Sequence, residues 1–598
     1  MSLNDEIAEL FANLAALMEL RGENTFKVIA FQKVGRIVRE MNFDLRECLR
    51  NNTLCDIEGI GKTSQQIIEE YINSGKSTVF EEIAASVPKG LIPMLTIEGL
   101  GPKTINLLWK SKNITSLEEM EAAIASGALK GIKGIGEKKI ETIRRGIDAY
   151  KSRAAEGNGV PKRVGILEAL VPAEDLLERV RQLKGVIRAE IAGSLRRRKE
   201  TIADVDIVGA VKSSDEGQRV LEEFVKLPGV VQILGQGGSK ASVKIGNGMQ
   251  VDLRIVPDEN FGAALLYFTG SKEHNVKIRG LALKKKMTLS EWGLYKLEEY
   301  EKAKKETAKP PPIAAIASRT EEDVYKKLGL EFIAPEMRED HGEVELAAEK
   351  KLPELITIED IRGDLHTHTN ESDGANTIEE MAEAAKAKGY VYLAITDHSK
   401  ALAMTNGLSV ERLLAHAARI RKLNDKLKGI TLLAGTECDI LADGRMDYED
   451  EVLKELDIVI ASPHISLKQD TKKATDRLLR AIDNPYVNVI GHPTGRLINR
   501  REGLPLDMPK VLKRAAETGT AMEINSSYPR LDLNDQNAAA AREAGCVLSI
   551  DTDAHIIAEL DLVPHGISVA RRAWLEPKHV INTWPLAKLR EFIRVKRP

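Results

Sequence analysis

The sequence predicts a multidomain chain of α+β and α/β class: a helical N-terminal region, a mixed strand–helix middle, then a distorted (β/α)7-type barrel. Three observations carry this. A short glycine-paired element recurs three times in the first 150 residues, Asp204 and Asp206 stand two apart inside an apolar run, and seven apolar runs after residue 360 lead into His, Asp, Glu or Asn. The length of 598 residues suits about three to five domains, each large enough to bury a core.

Composition narrows the class. No apolar run reaches the ~18 residues of a membrane span, and the N-terminus, MSLNDEIAEL, lacks the basic-then-apolar pattern of a signal peptide. The four cysteines (Cys48, Cys55, Cys438, Cys546) form neither a disulfide framework nor a CxxC zinc pair. A cytoplasmic, monomeric protein with no membrane partner is expected. The net charge of −3 conceals a gradient: residues 161–290 carry 22 basic and 16 acidic side chains, whereas 341–598 carry 35 and 40. Nine of the eleven histidines follow residue 360. A polyanion-facing middle and a metal-binding C-terminal part would produce this pattern.

Apolar positions at three-to-four spacing in IAELFANLAALMEL and FKVIAFQKVGRIV predict helices in the first region. The repeated element reads IEGIGKTSQQII, IEGLGPKTINLL and IKGIGEKKIETI, with glycine pairs Gly59/Gly61, Gly99/Gly101 and Gly134/Gly136. Glycines there permit a tight turn and leave free N–H groups at the start of the next helix, an anion site suited to a DNA phosphate. A single copy reads equally well as a glycine-capped helix connection. Three copies sharing I-x-G-[IL]-G resemble the helix-hairpin-helix motifs of DNA-binding proteins.

In the middle, IRAEIAGSLRRRKETIADVDIVGAV places Gly193-Ser194 and three arginines ahead of Asp204 and Asp206. Residues two apart on a strand face the same way, so the two carboxylates converge and would repel without a divalent cation. Asp252, in the alternating strand GMQVDLRIV with Arg254 on the same face, is a third candidate. Gly193, Ser194 and Arg197 suit a triphosphate, through backbone N–H, hydroxyl and guanidinium. Two Mg²⁺ ions on Asp204, Asp206 and Asp252 would activate a 3′-hydroxyl and stabilise the leaving pyrophosphate.

These residues, with YFTGSKEHNVKIRGLALKKKMTLSEWGLY (267–295), resemble the family X DNA polymerases, relatives of DNA polymerase beta. The resemblance spans roughly residues 1–340. It implies a nucleotidyltransferase palm with a thumb, acting on gapped or primer-template DNA and dNTPs. It also implies that Tyr267 and Phe268 flank the sugar and exclude a 2′-hydroxyl, that Gly270 lets the backbone approach, and that Asn275 and Arg279 contact base and template. Lys27 matches a phosphate-binding lysine of that family. The tract KKETAKPPPI (304–313) is expected to be an exposed loop. One departure is chemical: the family's lyase lysine is matched by Ile67, and a Schiff base needs an amine. Deoxyribose-phosphate lyase activity is therefore expected to be weak or absent.

After residue 358 the runs IRGDLHTHT, YVYLAITDH, ITLLAGTE, LDIVIASPH, VNVIGH, TAMEINSS and CVLSIDTDAH are separated by helix-length segments. This rhythm predicts parallel strands closing into a barrel with its site at the strands' C-terminal ends. The candidates are His366, His368, Asp373, His398, Glu437, His464, His492, Asp553 and His555, with Asp397 and Asn525 as partners behind them. Nine N/O ligands without thiolates suit two or three Mn²⁺, Zn²⁺ or Fe²⁺ ions. His416, His565 and His579 lie away from the strand ends and read as ordinary histidines. The H-x-H, DH, G-x-E, SPH, GHP and D-x-H pattern resembles the PHP (polymerase and histidinol phosphatase) domain, which implies a metal-dependent 3′–5′ exonuclease, with abasic-site or 3′-phosphate processing.

The expected layout is an N-terminal helical domain (1–80), a second helix-hairpin-helix domain (81–160), palm (161–260), thumb (261–340), linker (341–358) and PHP domain (359–598). The function expected is DNA polymerisation that fills short gaps in repair by a two-metal mechanism, with 3′-end processing by the barrel. The rival readings are a nucleotidyltransferase on another substrate and a DNA-end-binding scaffold with inactive sites.

Overall fold

A computed structural model describes residues 3–40, 45–50, 54, 57, 59–97, 100–129, 132, 135–136, 139–140, 142–144, 146–147, 163–303, 311 and 313–595. The chain divides into two compact units, Met1–Lys162 and Arg163–Pro598. Among the described residues, no helix is long and apolar enough to cross a membrane.

The first unit is helical. Helices Leu3–Arg21 and Thr25–Glu40 pack through Ile7, Phe11, Leu14 and Met18 against Val28, Phe31 and Val34, as their periodicity predicts. The helix Lys62–Ser74 starts directly after Gly61, and Pro102–Lys112 directly after Gly101. Gly59 adopts φ +100°, which its lack of a side chain permits. Ile67 is fully buried within its helix.

The second unit begins with a short pair, β1 (Val164–Gly165) and β3 (Thr201–Ile202). The main sheet follows, from β2 (Arg188–Ile191), β4 (Asp204–Val211), β5 (Val230–Gly237), β6 (Lys240–Ile245) and β7 (Gln250–Pro257), in the order β2-β4-β7-β6-β5. Only β4 and β7 run parallel, and their register sets Asp206 opposite Asp252. Helices Ile166–Gln182 and Ser214–Phe224 pack on one face and Phe261–Thr269 on the other, so the interior strand DVDIVGAV is apolar on both sides beyond its acidic start.

The helix Lys272–Lys284 is capped by Ser271, whose hydroxyl accepts from the His274 N–H, and precedes the hairpin β8 (Met287–Ser290) and β9 (Gly293–Lys296). Beneath it lies a buried polar network. His274 pairs with Glu343 at 2.7 Å and with the Tyr325 hydroxyl at 2.9 Å. The fully buried Arg338 donates to Glu321 (2.6 Å) and to the Ile333 carbonyl (2.9 Å). Arg196 reaches the same Glu321 at 2.6 Å. Flanked by two guanidiniums, the Glu321 carboxyl drops to about 2 despite its burial.

The C-terminal part is a seven-stranded parallel sheet in sequential order: β10 (Gly363–Asp364), β11 (Tyr392–Ile395), β12 (Thr431–Asp439), β13 (Ile458–Ser462), β14 (Val489–Ile490), β15 (Ala521–Asn525) and β16 (Leu548–Asp551). All seven expected runs supply a strand. The parallel Thr367–Ala554 bridge joins the first strand's extension to the last, nearly closing the barrel. Its interior is filled by Leu365, Tyr392, Leu433, Ile460 and Val489, and Trp584, Leu589 and Ile593 of the C-terminal segment plug one end. The other end, where the strands finish, carries the polar side chains.

Candidate active sites

At that end the nine expected residues converge. His366 and His368 follow β10, His398 follows β11, and His464, His492 and Asp553 each lie two residues beyond β13, β14 and β16; Glu437 is inside β12. Glu437 is fully buried at the centre and its two oxygens face different histidines. Oε1 lies 2.9 Å from His492 Nε2 and 3.3 Å from both His366 Nε2 and His464 Nε2. Oε2 lies 2.9 Å from His398 Nδ1 and 3.6 Å from His368 Nε2. Asp373 sits between His398 (3.5 Å) and His555 (3.4 Å), and Asp553 lies 3.1 Å from His368.

Three overlapping groups have ligand atoms within 4.8 Å of one another: His368, Asp373, His398 and His555; His366, His368, Glu437 and Asp553; His398, Glu437 and His464. His368, His398 and Glu437 are each shared by two groups, as bridged multinuclear centres require. His366 Nε2, His398 Nδ1 and Glu437 Oε2 are buried yet make no hydrogen bond. Orphaned nitrogen and oxygen donors, with no thiolate among them, fit divalent metal ions. His492 Nε2 meets Glu437, and its ring lies 4.9 Å from that of His464.

The electrostatics agree. Burial favours the neutral imidazole, but Glu437 and its neighbours outweigh it, pushing His366 well up and His398 to about 10. Burial and the flanking His555 and His398 take His368 down to about 4. Glu437 and Asp553 are held well below the carboxylate range because histidine charges overcome their burial. Glu437 and Asp553 thus favour the ionised form, whereas burial pushes Glu523, behind His366, up to about 7. Two of its residues are backbone outliers: His492 (φ 26°) and Asp553 (φ 57°) occupy the left-handed region, a strain held by buried hydrogen bonds.

In the main sheet, Asp204 and Asp206 share one face of β4, and Asp206 lies opposite Asp252. Burial and the neighbouring Asp204 and Asp252 charges push Asp206 up to about 6. Asp252 is buried and paired with Lys240 at 2.5 Å. The three carboxylates do not gather as tightly as the barrel groups. Gly193 has φ +64°, and a Cβ there would fall 2.8 Å from Asp206 Oδ2, so this glycine brings the loop onto the carboxylates.

The remaining sugar- and phosphate-side candidates make contacts of their own. Tyr267 and Phe268 meet edge to face at 5.1 Å, and the Asn275 amide donates to the Tyr267 carbonyl at 2.7 Å. Arg254 lies over the Phe268 ring at 4.1 Å. Gly270 has φ +72°, beside the Arg197 guanidinium. Arg197 donates to Glu339 (3.1 Å) and to the Thr269 carbonyl (2.5 Å), Ser194 is half-buried, and Arg279 and Lys27 are exposed. Among the hairpin glycines, Gly59, Gly61, Gly101 and Gly136 are described, while Gly99 and Gly134 lie outside the described residues, as does most of 304–313.

Comparison with known proteins accounts for both sites. Residues 264–339 match the DNA polymerase beta thumb family, 364–527 the PHP domain, 2–77 a helix-hairpin-helix domain and 91–148 a helix-hairpin-helix tandem. The DNA polymerase/3′–5′ exonuclease PolX of Bacillus subtilis is 38% identical over 98% of this chain and 99% of its own length. The chain belongs to the PolX family. The barrel has relatives of its own: probable phosphatases of Thermoanaerobacter sp. and Caldanaerobacter subterraneus are 31% and 32% identical over 39% of this chain, covering 95% and 91% of theirs.

Within this PolX-family barrel the structure adds residues that the motifs did not single out. Glu523 on β15 is fully buried, 2.7 Å from His366 Nδ1, and also accepts the His492 N–H. The available signal was its position two residues before Asn525, hence the same strand face; Asn525 itself donates to Asp553 at 3.1 Å. Asp439 orients His464 through Nδ1 at 3.1 Å. His416 is paired through Nε2 alone, with Asp397 (2.9 Å), which also holds Thr369 and Ser372 beside the metal-competent loop, while its buried Nδ1 makes no hydrogen bond. That link crosses 19 residues and leaves no trace in local sequence.

Proposed function

We propose that this chain fills short gaps in DNA during repair and processes the same 3′ ends through its barrel. As a member of the PolX family it is an enzyme, a DNA-directed DNA polymerase with a metal-dependent 3′–5′ exonuclease. The observation that carries the finer reading is the pairing, within one compact unit, of strand-borne aspartates with a buried imidazole–carboxylate cluster.

Asp204, Asp206 and Asp252 would hold two Mg²⁺ ions, and the nine barrel residues two or three Mn²⁺, Zn²⁺ or Fe²⁺ ions. Such ions supply an acidified oxygen nucleophile and neutralise charge at phosphorus. The chain's own groups do the rest. Ser194 and the backbone N–H groups of the Gly193 turn bind phosphate oxygens. The Tyr267–Phe268 pair walls the sugar, with Asn275 fixing the Tyr267 carbonyl and Arg254 supporting Phe268 from behind. Glycine-led helix starts in both N-terminal hairpin regions bind DNA phosphates without reading bases, with Lys27 as a further cation. In the barrel, Glu523, Asp439 and Asn525 fix the orientations of His366, His464 and Asp553. No amine stands at position 67, so deoxyribose-phosphate lyase chemistry through a Schiff base is weak or absent.

The test uses purified protein and a 5′-labelled primer on one-nucleotide-gapped DNA with Mg²⁺ or Mn²⁺, with and without dNTPs. Extension with dNTPs and 3′ shortening without them are expected. Shortening alone would reduce the polymerase half to a docking module, and neither product would favour a scaffold. The barrel's likeness to probable phosphatases favours a second activity, removal of a 3′-terminal phosphate, read on the same gel from a 3′-phosphorylated primer. Borohydride trapping on an abasic site through residues 1–80 would overturn the lyase reading.

A further inference from the structure

The barrel and the polymerase module meet in a seam of buried ion pairs. One of them enters the polymerase's nucleotide loop. Arg572, on the barrel helix Val563–Arg572, has a side chain only 4% exposed. Its Nη1 donates to the backbone carbonyl of Arg197 at 2.7 Å and to Glu339 Oε1 at 3.0 Å. The same Glu339 oxygen accepts from Arg197 Nε at 3.1 Å. On its other edge Arg572 is anchored to Asp535 of the barrel at 2.7 Å. The Arg197 loop is thus gripped by its main chain directly and by its side chain through Glu339. The direct contact spans 375 residues of sequence, and the indirect one 142 residues to Glu339 and 233 more to Arg572.

We infer that Arg572 of the barrel is a positioning residue for polymerisation, holding the Gly193–Arg197 loop in the geometry that receives the triphosphate. This rests on the proposed role of Arg197 in nucleotide binding. The physical case is that a planar guanidinium with fixed donors can hold a carbonyl and a carboxylate at once, which a point charge such as lysine does less well. The surrounding charges make the grip durable: despite burial, Arg572, Lys199 and Arg197 draw the Glu339 carboxyl down to about 2, so it stays ionised at all working pH values. Nothing in the barrel's own cluster touches Arg572. Its loss should therefore register at the polymerase site it contacts and not at the exonuclease cluster of its own barrel.

The seam contains an internal control. The adjacent Arg571 pairs with Glu336 at 2.8 Å and with the Ile356 carbonyl at 3.1 Å, and reaches no residue of the nucleotide loop. If the seam merely docks two modules, Arg571→Ala and Arg572→Ala would act alike.

The experiment measures steady-state dNTP incorporation and 3′–5′ exonuclease on the full chain for Arg571→Ala, Arg572→Ala, Arg572→Lys, Glu339→Gln, Arg197→Ala and the double variant Arg197→Ala/Arg572→Ala. Losing a charge-assisted contact predicts about a tenfold rise in KM for dNTP in Arg572→Ala, with kcat changed less. Glu339→Gln should follow it, Arg572→Lys should recover part, and exonuclease should stay within about twofold of wild type. The double variant should be no worse than Arg197→Ala, because both act through one loop. Equal polymerase losses in Arg571→Ala and Arg572→Ala, additive losses in the double variant, or an unchanged KM in Arg572→Ala beside an impaired Arg197→Ala would overturn the inference. A normal Arg197→Ala would instead overturn the reading of Arg197 itself. Thermal unfolding of each variant separates misfolding from both.

Discussion

Replacing Glu437 by Gln removes one charge from the barrel while keeping its volume. Glu437 belongs to two of the three tight ligand groups and contacts five histidines. Two ion positions should therefore each lose an anionic ligand. Even an indirect partner of a metal ligand is worth about 10–100-fold in affinity. Two positions compound to about 10²–10⁴, or about 3–6 kcal/mol at 1.4 kcal/mol per tenfold. Folding should survive, because His398, raised to about 10 chiefly by Glu437 against its burial, simply returns to the neutral form. The assay is single-turnover digestion of a 5′-labelled strand, with metal content measured on the same sample. The expected outcome is a loss of at least about a hundredfold in exonuclease and a fall in bound metal, with gap filling unchanged. Wild-type digestion, or a matching loss of polymerisation, would refute the idea of a bridging carboxylate serving the barrel alone.

Other outcomes follow from the same geometry. Asp206, raised to about 6, binds its proton more tightly folded than unfolded, so its burial lowers stability as pH rises from about 4 to 6. Asp206→Asn should thus stabilise the metal-free protein by up to about 3 kcal/mol at pH 7 while abolishing polymerisation, measured by denaturant melts and primer extension. For the same reason, incorporation by wild type should fall below about pH 6, where Mg²⁺ must displace a proton. Gly193→Ala would drive a Cβ to 2.8 Å from Asp206 Oδ2 at φ +64°, and should cost at least about tenfold in kcat/KM for dNTP with exonuclease retained. Glu523→Gln leaves every ligand in place but loosens His366, so exonuclease should drop about 10–100-fold with little change in the melt.

Much of this protein is written locally. Strand-borne D-x-D, the glycine turn before it and the aromatic pair at 267–268 are short-range patterns whose residue types constrain their chemistry. The barrel was equally legible, because seven apolar runs ending in ligand-competent residues describe both a parallel sheet and its functional end. The helical N-terminal region followed from periodicity alone. What sequence could not supply is what depends on long-range register and on charge balance in a buried space. The opposition of Asp206 to Asp252 comes from pairing β4 with β7, and the raised Asp206 carboxyl from their shared burial.

Glu437's two-sided contact with five histidines, and the support of His366 by Glu523, need the strands to be placed around a ring. The brace from Arg572 to the Arg197 loop needs two modules folded against each other across 375 residues. One arginine of an Arg-Arg pair carries no mark of its partner, because a buried ion pair is specified by where the fold delivers its two halves. The sequence by itself determined which residues could do chemistry and on which elements they lie. Only the tertiary structure decided which of them meet, which carboxylates stay charged, and that a helix of the barrel holds a loop of the polymerase, since proximity and desolvation are properties of packing and not of the chain.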